Sequence, residues 1–204
     1  MSRALVIYVA LTTALLGSIM IATAVGSVSI PIPSIAAVIL GKAIGVIPVN
    51  WLSDQTAFEA IVLYLRLPRV ILAGLVGGAL ALAGAVLQGL FRNPMADPGI
   101  IGISSGGALG AVIAVMSGLA ANALWSLPVL AFVGAAGATW TIYIISTQAG
   151  RTPLATLLLS GLAVSAFATA LTSLLLTLAQ DIFVFREVLF WLLGGLDGRG
   201  WSHV

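Results

Sequence analysis

Residues 102–106 read Gly-Ile-Ser-Ser-Gly, which matches the G-x-S-x-G pattern of serine nucleophiles. That pattern works where a sharp strand-to-helix turn exposes the serine and a histidine base lies within hydrogen-bond reach. Here Ser104 and Ser105 stand early in an apolar run that reads as a helix, and the one histidine, His203, lies in the tail. An intramembrane serine protease is therefore the weaker reading of these residues, and helix packing the stronger. The one lysine, Lys42, follows Gly41 but precedes Ala43, and Ala36 stands where a phosphate-binding loop needs its first glycine. The chain does not hydrolyse ATP by that route. It has no cysteine, which removes disulfides and thiolate metal sites, and a single histidine excludes a multi-histidine metal centre within one chain. No metal or cofactor is expected on it.

The composition says where these residues reside. Of 204 residues, 61% are hydrophobic and 7% charged, and the mean hydropathy is +1.21. Soluble domains carry about 25% charged residues. Eight basic and six acidic side chains cannot coat a water-facing globule of this size, so a soluble enzyme and a disordered chain are excluded. The isoelectric point of 9.5 rests on a net charge of +2 without a basic cluster, which argues against a nucleic-acid binder.

Crossing ~30 Å of hydrocarbon takes about 20 apolar residues. Five uncharged runs suit that length: about 4–28, 70–90, 99–118, 124–146 and 154–178. The expected architecture is an all-α, polytopic transmembrane bundle. The first run is too long for a cleavable signal peptide. Pro31 and Pro33 are expected to end it, and residues 34–47 to form a short interfacial helix. A polar loop is expected over 48–66, with Leu67-Pro68 opening the second span, since proline suits a first helical turn. Asp97 and Pro98 should cap and open the third, and Thr152-Pro153 the fifth. The tail 180–204 has an apolar run, Val188–Leu193, too short to span, so it reads as re-entrant or interfacial.

Two features of the spans bear on packing and passage. Gly74 and Gly78, then Gly102, Gly106 and Gly110, recur every fourth residue, a spacing that lets helix backbones approach closely. Ser165, Thr169 and Thr172 recur on one face of the fifth run, with Ser160 a turn earlier. These hydroxyls either bond back to their own helix or form a mildly polar wall along a pathway. No carboxylate or histidine lies within a run, as ion-coupled carriers usually require, so a stand-alone carrier is disfavoured and a transporter would need an external motor. Counted plainly, Lys42, Arg66, Arg69, Arg186 and Arg199 outnumber Arg3, Arg92 and Arg151, which would put the former side in the cytoplasm.

The segment from Arg66 to Gly110 reads RLPRVILAGLVGGALALAGAVLQGLFRNPMADPGIIGISSGGALG. It resembles the FecCD family of ABC-importer permeases, as do Leu158-Leu159-Ser160-Gly161 and the stretch Phe190–Leu196. The resemblance implies a ten-span subunit of two inverted five-span repeats, working as a homodimer in the bacterial inner membrane. Cytoplasmic ATPase subunits would power alternating access, with ATP bound on those partners. A periplasmic binding protein would deliver an iron-siderophore, haem or cobalamin-like metal chelate. This chain would correspond to the N-terminal repeat, without the segment that docks the ATPase, and should not work alone. The resemblance also implies a cytoplasmic N-terminus and a periplasmic face for the 48–66 loop and the 180–204 tail. Arg66 and Arg69 would then meet carboxylates of the binding protein, Asn93, Met95 and Thr152 would stand near a cytoplasmic gate, and Ser160, Ser165, Thr169 and Thr172 would line the pathway.

Overall fold

The computed structural model describes residues 2–44, 55–95, 97, 99, 102–179 and 181–204. Over these the chain is helical, and one isolated β-bridge joins Gln148 to Arg151. The helices are α1 (Arg3–Ala24), α2 (Ile32–Ile44), α3 (Gln55–Ala60), a π-helical stretch (Ile61–Arg66), α4 (Leu67–Phe91), α5 (Ile103–Met116), α6 (Leu119–Asn122), α7 (Ser126–Ser146), α8 (Leu154–Leu178) and α9 (Ile182–Leu192). Among the described residues, four helices are long and apolar enough to cross a membrane: Arg3–Ala24, Ala57–Phe91, Ser126–Ser146 and Leu154–Leu178.

The chain divides into two compact units, residues 1–78 with 196–204, and residues 79–195. In the first, Ser2 caps α1 by accepting from the Leu5 N–H at 3.4 Å. The hydroxyls of Thr12, Thr13, Ser18 and Thr23 each bond the carbonyl four residues back, which lets polar side chains sit in an apolar helix. The core of this unit is small: Ile30, Ile35 and Val62, with Val38, Phe58 and Ile61 packed around them. Most of α1 exposes Leu, Val and Ile side chains, the surface of a helix whose solvent is lipid.

In the second unit α5 is the central helix, packed on α7, α8 and α9. Val112, Val115 and Val188 form its buried cluster, joined by Leu127, Leu175 and Val184. Asp181 caps α9 by accepting from the Phe183 N–H at 2.8 Å. The apolar run at Val188–Leu193 thus belongs to a longer helix that starts at Ile182.

Several boundaries differ from those expected. The first helix ends at Ala24, where Val25 turns extended, and Pro33 lies inside α2 instead of ending α1. Of the loop expected over 48–66, residues 55–66 are helical and run without a break into α4; residues 48–54 lie outside the described part. Pro68 therefore stands in a helix interior. A proline there has no N–H to donate. The turn before it has shifted to π bonding, with the Leu67 N–H on the Val62 carbonyl. Among the described residues of the third run, the helix is α5, of 14 residues or about 21 Å at ~1.5 Å per residue; Pro98, expected to open it, lies outside the described part. Gly102 and Gly118 bound α5, both in the left-handed region at φ 84° and 73°. Asp97 does not cap α5; its Oδ1 accepts from the Gly99 N–H at 2.6 Å in a local turn. Nor does Thr152 cap α8, whose N-cap position is Pro153.

Candidate functional site

Arg66 and Arg69 sit three residues apart on one helical stretch and have different tasks. The Arg66 guanidinium reaches the end of α1. Its Nη1 donates to the Thr23 and Ala24 carbonyls at 2.7 and 2.9 Å, and its Nη2 to Val28. The last carbonyls of a helix have no partners of their own, and a cation there also suits the helix dipole. Gly26 leaves the room for this contact, since a Cβ there would lie 2.6 Å from Nη2. Arg69 instead faces outward and pairs with Asp197, Nη2 to Oδ1 2.6 Å. Beside that pair, Trp201 Nε1 donates to the Leu63 carbonyl at 2.8 Å. Asp197, Trp201 and Gly26 were not foreseen as partners of the arginine motif. The one sequence signal was Pro68, whose missing N–H requires that some other donor serve the turn before it.

In the second unit the small residues of α5 meet backbone. A Cβ on Gly102 would lie 2.6 Å from the Gly161 carbonyl oxygen, and one on Gly106 would lie 2.6 Å from that of Gly134. Gly110 faces the Leu130 carbonyl in the same way, and Gly134 faces that of Gly106. Gly74 and Gly78 of α4, by contrast, have nothing within 4 Å among the described residues. Ser105 Oγ and Ser165 Oγ share a hydrogen bond of 2.6 Å that ties α5 to α8. Gly161, Ala168 and Thr172 are buried on the same face of α8 as half-buried Ser165. Ser160 is also buried, while Thr169 is exposed. The hydroxyls are thus divided between a helix contact and an open surface. Ser105 has a serine, not a base, as its partner, and no histidine occurs within residues 79–195.

The turn after α4 is built from side-chain bonds. Arg92 takes φ 49°, the Asn93 N–H bonds the Gln88 carbonyl at 3.2 Å, and Gln88 Nε2 reaches Pro94 O at 3.1 Å. Asn93 Oδ1 accepts from the Met95 N–H at 2.9 Å, which leaves the Met95 side chain projecting, 80% exposed. Thr152 Oγ1 bonds Thr147 Oγ1 at 2.8 Å across a tight turn through Ala149 and Gly150. Thr152 also joins Arg92, Phe91, Tyr143 and Leu157 around a cavity of about 560 Å³. Asn93 and Met95 are not among its walls.

A model of the FecCD transport family matches residues 14–204, nearly the whole chain. The chain belongs to this family. Relatives of this FecCD chain include the cobalamin import system permease protein BtuC of Halobacterium salinarum, 46% identical over 77% of the chain and 41% of that protein. The uncharacterized ABC transporter permease protein YvrB of Bacillus subtilis is 38% identical over 92% of the chain and 52% of its own length. The achromobactin transport system permease protein CbrC of Dickeya dadantii is 40% identical over 75% of the chain and 43% of its length. The FecCD chain spans about half the length of these curated relatives. Its fold is similar to a solved structure described as an inward-facing conformation of a metal-chelate type ABC transporter, with TM-score 0.75 and 28% identity, covering 96% of this chain and 55% of that one. The helical, polytopic architecture expected from the apolar runs agrees with that likeness.

Proposed function

We propose that this chain is the first repeat of an ABC-importer permease that passes a metal chelate of cobalamin or ferric-siderophore type into the cytoplasm. The carrying observation is the FecCD match over residues 14–204, with permeases named for cobalamin and for achromobactin among the relatives. The chain does no covalent chemistry and binds no cofactor. ATP is hydrolysed on separate cytoplasmic subunits, and a periplasmic substrate-binding protein docks on the opposite face of a multi-pass inner-membrane homodimer whose N-termini are cytoplasmic. Arg69, outward and exchangeable, meets the binding protein, while Arg66 fixes the end of α1 that frames that surface. Met95, held out by the Asn93 turn, supplies the apolar constriction of a cytoplasmic gate, and Thr152, on the turn before α8, belongs to the same gate. Thr169 is the hydroxyl of the α8 series best exposed to a pathway, and Ser165 serves chiefly to hold α8 on α5. Selectivity at such a passage depends on width and on few polar contacts, which suits a large ligand already chosen by its binding protein.

The test is reconstitution of the complete permease with its ATPase and binding protein in liposomes, followed by uptake of labelled cyanocobalamin and of ferric achromobactin. Accumulation of one of them only with hydrolysable ATP is the expected result. Accumulation of neither, or accumulation without ATP, overturns the proposal.

A further inference from the structure

Two bonds join the segment 196–204 to the stretch that carries the arginines, and they differ in kind. The Trp201 indole donates to the Leu63 carbonyl at 2.8 Å. Leu63 stands five residues before Pro68, so its carbonyl is the one that π bonding would pair with the N–H proline lacks, as Leu67 is paired with Val62. Leu63 is buried, and a buried carbonyl without a donor is costly, so the indole is a fixed anchor. The other bond, Arg69 to Asp197, is an ion pair whose side chains are 39% and 72% exposed. Such pairs contribute about 0–1 kcal/mol and exchange readily.

We propose that Asp197 is a placeholder: it occupies Arg69 until a carboxylate of the docking protein replaces it. This rests on the docking assignment of Arg69 made above. Trp201 holds the chain four residues from Asp197, so the internal carboxylate sits at an effective concentration in the mM range expected of short tethers. An arriving carboxylate must compete with this tethered one, and a surface that offers a bidentate carboxylate or a second acceptor for the guanidinium's remaining N–H groups displaces it more readily. Arg66 cannot share the task without abandoning three carbonyls of the α1 end. Docking is thereby gated toward an acidic patch and away from proteins with scattered acidic residues.

The experiment measures the Kd of the complete permease in nanodiscs for the substrate-binding protein that serves it, across a salt series. Asp197→Asn is expected to tighten docking about two- to fivefold at low salt. Arg69→Ala is expected to weaken it, and Asp197→Asn added to Arg69→Ala is expected to have no further effect. A gain from Asp197→Asn that persists in the Arg69→Ala background would mean simple long-range repulsion and overturn the placeholder. So would an unchanged or weaker Kd for Asp197→Asn while Arg69→Ala still weakens docking. If Arg69→Ala and Arg69→Glu both leave docking unchanged, the docking assignment itself fails, a result the placeholder test alone cannot produce.

Discussion

α4 and α5 carry the same sequence signature and put it to opposite uses. Both repeat glycine every fourth residue. On α5, Gly106 and Gly110 press against the backbone of α7, and Gly134 answers them from the other side. On α4, Gly74, Gly77 and Gly78 have no neighbour within 4 Å among the described residues. Small-residue spacing therefore permits a close crossing and does not produce one. What produces it is a facing helix that is smooth at the matching height, as α7 is at Gly134 and Ala138.

The strongest way to break this contrast is to fill the α5–α7 contact. Gly134→Leu would drive a side chain into the Gly106 carbonyl and the Gly110 backbone, where nothing can rotate aside. The expected cost is about 3 kcal/mol or more, since overpacking against backbone exceeds the usual strain of a crowded core. Unfolding in detergent micelles followed by circular dichroism reads it; a stability within 1 kcal/mol of the parent would show that α5 and α7 can separate freely.

Filling the other surface should do the reverse. Gly78→Ala adds a methyl where space is open and removes glycine's backbone freedom from a helix interior. In this chain alone it is expected to raise stability by up to about 1 kcal/mol. The same change in the complete permease sharpens the comparison: a loss there would show that α4's smooth face is covered by a helix of the longer protein or of a second copy.

The smallest effect belongs to the serine bond. Hydroxyl pairs between membrane helices average about 0.6 kcal/mol in double-mutant cycles. Ser105→Ala and Ser165→Ala, alone and together, should give a coupling of that order. A coupling of zero would mean that the two oxygens are neighbours only, and that glycine packing alone holds α8 to α5.

The contrast also marks what could be read in advance. Long uncharged runs made α1, α7 and α8 plain, because twenty apolar residues in sequence have few alternatives. The turn bonds of Asn93 and Asp97 were foreshadowed by their side-chain types, although Asp97 serves Gly99 and not the helix. The helix from Gln55 to Arg66 was hidden by its polar start and by Pro68, which resembles a helix opening when its π-bonded context is unseen. The task of Arg66 was hidden for another reason. Its partners are backbone carbonyls about forty residues away, and carbonyls carry no signature in a sequence. The α8 hydroxyls recur with helical spacing, yet Thr169 is exposed while Ser160 and Thr172 are buried. Whether each faces a helix or an open surface depends on α5's position, which no spacing within α8 encodes.

The bond between Trp201 and Leu63 has a consequence in time. The two residues are 138 positions apart. At about 5–20 residues per second, a ribosome takes roughly 7–28 s to make the tryptophan after the leucine. Through that interval the π-bonded turn before Pro68 has no indole to complete it. The stretch bearing Arg69 can take its final form only after the last of the two is translated, so the surface it carries is among the latest parts of this chain to mature.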